Sequence, residues 1–232
     1  MGAYYFLLLA VLIGLIYPGY GYVSAPQARK MLELYRNEKR ALYLSTILLQ
    51  WLLSIAVLCG MWYFDRSWHL VGMHWLNNPW DILSLVFPGL LFWILIRQIP
   101  LRDSELPRMQ RYYGQIMLMM PYNERDYRTS IVLAFTAGFC EELLFRGFLY
   151  WQLSLFVEPA LAILLTNLAF ALGHIVSGWR NTTYAFLLGV LWSLVFYYTG
   201  SLWWAVLSHI LLDLFSLTRG YLLTQKQETT GL

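Results

Sequence analysis

The chain has 232 residues, 59% of them apolar and only 12% charged, about half the charged share of an ordinary globular domain. With 11 Trp, 17 Tyr and 13 Phe, that composition excludes a disordered chain, a collagen and a nucleic-acid-binding tail, and no nucleic-acid partner is expected. The net charge of +3 is small, so the information lies in where the 16 Lys and Arg fall.

Seven apolar runs approach the roughly 20 residues that cross a bilayer. They run Ala3 to Tyr20, Ala41 to Phe64, Asp81 to Ile99, Ser130 to Trp151, Pro159 to Val176, Thr183 to Tyr198 and Leu202 to Leu217. The expected fold is all-α: a polytopic transmembrane helical bundle of about seven spans, with the lipid bilayer as its solvent. The first run resembles a signal peptide, since Val23-Ser24-Ala25 imitates a cleavage site. No positive charge precedes it, however, and Pro26 would follow the cut, so it reads as a retained helix.

Fourteen of the Lys and Arg flank the odd-numbered loops and the tail, one (Arg66) lies in an even-numbered loop, and Arg146 lies within a span. The positive-inside rule therefore predicts an N-terminus outside and a C-terminus in the cytosol. The two long loops on that side, Gly21 to Arg40 and Pro100 to Thr129, are expected to lie as amphipathic helices along the inner leaflet. A compact chain without a targeting extension suggests an integral protein of a bacterial cytoplasmic membrane.

Ionisable groups inside a span cost about 2.5 to 3.5 kcal/mol each on insertion scales, which makes them functional candidates. Setting aside Asp81, which begins its run and can cap the helix at the interface, they are confined here to three runs. The fourth contains Glu141, Glu142 and Arg146, the fifth His174, and the seventh His209 and Asp213. Such a distribution predicts that these three helices enclose a polar site while the other four form a shell. Residues four apart on a helix share a face, so Glu142 can pair with Arg146, Phe170 lies beside His174, and Asp213 can orient His209. Glu141 points about 100° away from Glu142 and stays outside that pair.

No serine or cysteine has an evident base, because Ser208 neighbours His209 in sequence and projects elsewhere. Activated water is left as the nucleophile. Glu141 with His174 can take a proton from water and hand it to a leaving amine, while His209 with Asp213 stabilises an oxyanion. The same groups also suit a divalent metal such as zinc, with Glu141, His174 and His209 as ligands and metal-bound water as nucleophile. The residues alone leave both routes open, so the cofactor is either none or such a metal.

Three motifs on these helices resemble the CAAX-protease and bacteriocin-processing family of intramembrane proteases (CPBP or Abi). They are Glu141-Glu142-Leu143-Leu144-Phe145-Arg146, Phe170-Ala171-Leu172-Gly173-His174, and His209-Ile210-Leu211-Leu212-Asp213, the last preceded by Tyr198-Thr199-Gly200-Ser201-Leu202-Trp203. The resemblance implies an intramembrane endopeptidase, reached from the cytosol, that cleaves a peptide or membrane-protein substrate. It assigns water activation to Glu141 and His174 and oxyanion stabilisation to His209 and the third-motif residue, with Glu142, Arg146 and Phe170 in support. The branch that trims prenylated proteins usually has Asn where this chain has Asp213, and an ionised Asp accepts hydrogen bonds but donates none. On this reading residues 1–129 hold the N-terminal helices and loops, 130–217 the catalytic helical core and 218–232 a cytosolic tail.

Two other functions compete. A membrane binding or bacteriocin-immunity protein can use the same fold without catalysis. A proton-coupled carrier also suits Glu, His and Asp on facing helices, although no inverted repeat is visible. Outside the site, His69 and His74 with Trp68, Trp75 and Trp80 read as an interfacial aromatic belt, and Cys59 and Cys140 read as packing residues.

Overall fold

The computed structural model describes residues 1–74, 85–99 and 105–230, with side chains through 227. Every regular element among them is helical. We label them α1 (Gly2–Leu34), α2 (Arg40–Tyr63), α3 (Val86–Ile96), α4 (Leu106–Tyr113), α5 (Glu124–Glu141), α6 (Tyr150–Ser154), α7 (Pro159–Gly173), α8 (Trp179–Thr199) and α9 (Trp203–Thr230). The residues between α5 and α6, Glu142–Leu149, wind as a π-helix, and α1 contains a π turn at Leu12–Ile16.

Among the described residues four helices, α1, α2, α8 and α9, are long and apolar enough to cross a membrane, and α3 and α7 are shorter apolar helices. The fourth predicted span lies on the continuous helix 124–154, whose charged residues lower its hydropathy. Trp75, Trp80 and the start of the third predicted span, including Asp81, lie outside the described residues. Both cysteines are free, Cys140 buried and Cys59 exposed.

Burial is inverted relative to a water-soluble bundle. Leu48, Leu52 and Ile55 of α2, Leu161 and Leu168 of α7 and Leu187 and Leu191 of α8 face outward, whereas Gln50, Glu142, Arg146, Asn167 and Ser193 are buried. In water so large an apolar exterior would be an aggregation liability, whereas against acyl chains it is the matched surface. The chain is an integral membrane protein.

The two segments expected as separate amphipathic helices along the inner leaflet are ordered differently. The helix begun by the first span does not stop near Tyr20 but continues to Leu34, with Pro26 inside it. Within the other loop, α4 turns its apolar side to the protein: Leu106 and Tyr113 pack with Met120 and with Leu223 of α9. The Tyr113 hydroxyl donates to the Ser216 carbonyl at 3.0 Å, and burial pushes its pKa up to about 12. Between α1 and α2, Lys39 is buried with its ammonium donating to the Leu32 carbonyl at 2.6 Å. Burial lowers its pKa, partly opposed by Asp126.

Caps and glycines set the helices that carry the site. Asn123 caps α5 by accepting from Asp126 N at 2.9 Å, with Glu124 and Asp126 in the first turn. Pro159 opens α7 at a position where no amide donor is needed, and Gly200, at φ +68°, ends α8. Gly138 of α5 faces Ile210 of α9 so closely that a Cβ there would stand 2.9 Å from Ile210 N. The missing side chain thus brings α5 and α9 together one turn before Glu141 and Glu142, beside His209.

Candidate functional site

The polar centre is built on the junction of α5 with the π-helix. Wider i→i+5 winding interrupts α-helical register directly after Glu141, as π segments often do at functional positions. Glu142 is completely buried. Its Oε1 accepts from Arg146 Nη1 at 3.0 Å and pairs with His209 Nδ1 at 2.8 Å. The expected pairing of Glu142 with Arg146 is present, and His209 joins it.

Arg146 is equally buried and is held on several sides. Its Nη2 donates to Asn167 Oδ1 of α7 at 3.2 Å, and its guanidinium lies 3.9 Å above the Phe170 ring and 5.5 Å from that of Trp192. Asn167 is fixed in turn, its Nδ2 donating to the Ile163 carbonyl and to Ser193 Oγ, both at 2.8 Å. Gly189 makes room for this layer, because a Cβ there would run into Asn167 Oδ1 and Arg146 Nη2. A buried cation is thereby matched by one carboxylate, one amide oxygen and aromatic faces.

Glu141 takes a different direction, as its place outside the Glu142–Arg146 pair predicts. Its Oε1 accepts from Gln50 Nε2 of α2 at 2.7 Å. Its Oε2 has no hydrogen-bond partner among the described residues and stands 3.8 Å from His209 Nε2. Asp213 Oδ2 stands 3.7 Å from the same nitrogen, with its side chain 36% exposed against 7% for His209. Three carboxylates therefore surround one imidazole, which also packs 4.8 Å from the Trp192 ring.

His174 terminates α7. Its Nδ1 is 3.0 Å from the Phe170 carbonyl, and its ring lies 4.7 Å from that of Phe170. A carbonyl only accepts, so Nδ1 is the donor, and Nε2 is the nitrogen left to act as base or ligand. Asp213 interacts electrostatically with His174, Glu141 and Glu142 as well as with His209. No hydrogen bond joins Glu141 directly to His174 among the described residues.

The three helices singled out in the sequence thus do enclose one polar site, holding Glu141, Glu142, Arg146, His174, His209 and Asp213. The expected four-helix shell is not inert. From it α2 supplies Gln50, and α8 supplies Trp192, Ser193 and the gap at Gly189. These positions, with Asn167, were missed because neutral groups inside apolar runs carry no charge to mark them. Gln50 and Asn167 do leave a trace, each as an amide in the middle of a largely apolar helix.

For a metal, the described residues offer no group of three or more His, Cys, Asp or Glu side chains arranged to hold an ion. His209 Nδ1 is turned toward Glu142, and its Nε2 is 3.7 to 3.8 Å from the two other carboxylates. The donors as they stand do not form a zinc site of Glu141, His174 and His209.

Fold and site together define a helical integral membrane protein with a buried Glu/His centre. Residues 125–215, somewhat under half of the chain, match the family model described as Type II CAAX prenyl endopeptidase Rce1-like. All three motifs fall inside that stretch, and the match agrees with the CAAX-protease resemblance read from them. No curated protein and no solved structure matches the chain.

Proposed function

We propose that this chain is an intramembrane endopeptidase that hydrolyses a peptide bond with water activated by Glu141 and His174. The observation that carries the reading is the division of labour on Glu141: Oε1 is held by Gln50, while buried Oε2 has no donor among the described residues and lies 3.8 Å from His209. A carboxylate fixed at one oxygen and available at the other suits a general base.

In the proposed reaction a water lies between Glu141 Oε2 and His174 Nε2. Glu141 takes its proton as the oxygen attacks the scissile carbonyl carbon. The oxyanion then accepts from Nε2–H of the doubly protonated His209 ring, which stands among the Glu142, Glu141 and Asp213 carboxylates. Collapse breaks the C–N bond, and the proton on Glu141 passes to the departing amine. One water is consumed, and a carboxylic acid and an amine are released. Asp213 supports His209 by charge rather than by donating to the oxyanion. With the N-terminus outside and the C-terminus cytosolic, as the charge distribution suggests, cleavage takes place near the cytosolic face of a bacterial membrane.

The test is a proteome-wide comparison of peptide termini in membranes carrying wild-type protein or Glu141→Ala at matched expression. Termini present with the wild type and missing with the variant are expected, and they identify the substrate and cleavage position. Identical termini from two folded proteins would overturn proteolysis in favour of a binding or immunity role.

A further inference from the structure

The family match begins at residue 125, yet two contacts to the site come from helices that precede it. Gln50 is 3% exposed on α2 and donates from Nε2 to Glu141 Oε1 at 2.7 Å. Arg29, near the end of α1, reaches the turn behind His174. Its Nε donates to the Val176 carbonyl at 3.0 Å and its Nη2 to the Ile175 carbonyl at 2.5 Å. We propose that Gln50 and Arg29 are positioning residues of the site, Gln50 aiming the Glu141 carboxylate and Arg29 bracing the turn that carries His174.

A carboxylate at the end of a Glu side chain rotates about its last bond unless an oxygen is held. Glu141 lies outside the Arg146 pair, so Gln50 is the group that holds one oxygen and thereby directs the other toward His209. A buried amide within a membrane helix is retained against its insertion cost when it is hydrogen-bonded, and this one is bonded to the proposed base. His174, for its part, stands at the C-terminus of α7, followed by the 3-10 turn Ile175–Ser177. Carbonyls at a helix end lack helical amide donors, and a guanidinium fork supplies two donors in fixed geometry. One side chain on α1 therefore ties two consecutive carbonyls immediately after the histidine. Neither residue touches the scissile bond, and both act through the groups that do.

This inference rests on the proteolytic reading, so the experiment has one arm that needs no activity. In detergent-solubilised full-length protein, Gln50→Met is expected to lower the melting temperature by about 2 to 4 °C. In a Glu141→Leu background the same substitution is expected to have no effect. Hydrogen exchange of the Ser177 and Gly178 amides, which close the turn onto His174 and Ile175, is expected to accelerate in Arg29→Met and less so in Arg29→Lys. In the second arm, the peptide spanning a Glu141-dependent cleavage site is the substrate. Gln50→Met and Arg29→Met are each expected to lower kcat about 10- to 100-fold with KM within about twofold, and Arg29→Lys to recover part of the loss.

An equal melting cost in both backgrounds overturns the role of Gln50. Unchanged exchange in the turn overturns that of Arg29, and an unchanged kcat overturns whichever residue shows it. Absence of any Glu141-dependent cleavage defeats the proteolytic reading, while the melting and exchange comparisons still decide whether these two residues hold the site in shape.

Discussion

His209 Nδ1 and Arg146 Nη1 converge on the same atom, Glu142 Oε1, at 2.8 and 3.0 Å. That oxygen joins the third motif to the first, and it fixes which histidine nitrogen remains for chemistry. Nδ1 is committed to Glu142, so Nε2 is the position that faces Glu141 and Asp213.

The convergence makes Arg146 a structural necessity. Arg146→Met removes the guanidinium at Glu142 and leaves its carboxylate buried beside His209. Removing one partner of a buried ion pair costs about 3 to 5 kcal/mol, a large fraction of the roughly 5 to 15 kcal/mol by which domains are stable. Thermal unfolding in detergent should show a large loss of folded protein, and an unchanged melting curve would refute the pairing.

Gly189→Ala probes the same layer sterically. The added methyl would collide with Asn167 Oδ1 and Arg146 Nη2, and both residues are completely buried. Overpacking of this kind costs about 1 to 3 kcal/mol. The expected result is a lower melting temperature together with loss of proteolysis. A variant as stable and active as the wild type would mean that α8 can move away from α7.

Glu141, His174, His209 and Asp213 could be read from sequence because a charge inside an apolar run is costly and therefore conspicuous. Glu141 was placed correctly outside the Glu142–Arg146 pair, although the α-helical spacing behind that expectation does not hold beyond it. The π-helix begins at Glu142, and no residue type announces a change from i→i+4 to i→i+5 bonding. Gln50, Asn167 and Ser193 were missed for a related reason: their value comes from partners on other helices, and spacing along one helix does not reveal those. The first apolar run was ended at Tyr20, where it gives way to the charged segment from Gly21 to Arg40, but α1 continues to Leu34 and accommodates Pro26.

Ser193 and Asn167 separate two grades of support. Ser193→Ala removes one acceptor from Asn167 Nδ2, which keeps its bond to the Ile163 carbonyl at 2.8 Å. A loss of about 1 kcal/mol is expected. Asn167→Leu also deprives Arg146 Nη2 of its acceptor, so a buried cationic donor goes unmet and the loss should reach about 2 to 3 kcal/mol. Denaturation of both variants in the same detergent provides the comparison. Equal losses would show that Arg146 does not depend on Asn167.

Asp213 stands where the prenyl-protein-trimming branch of the family this chain resembles usually has Asn, and its geometry predicts how substitutions rank. Its Oδ2 stands 3.7 Å from His209 Nε2 and its side chain is 36% exposed, so it supports the imidazole by charge across a gap longer than a hydrogen bond. Asp213→Asn keeps the shape, gives up the charge and adds an amide donor able to reach a developing oxyanion. Gain and loss oppose each other, and kcat should stay within about tenfold of wild type. Asp213→Ala loses the charge and adds no donor, so its kcat should fall further, by about 100-fold or more. Melting temperatures should change little in either variant, because the carboxylate is partly exposed. Kinetics on the peptide that carries the Glu141-dependent cleavage site provide the check. If Asn proves as damaging as Ala, the aspartate is needed as a charge or a proton acceptor, and the support of His209 by a neutral donor is ruled out for this chain.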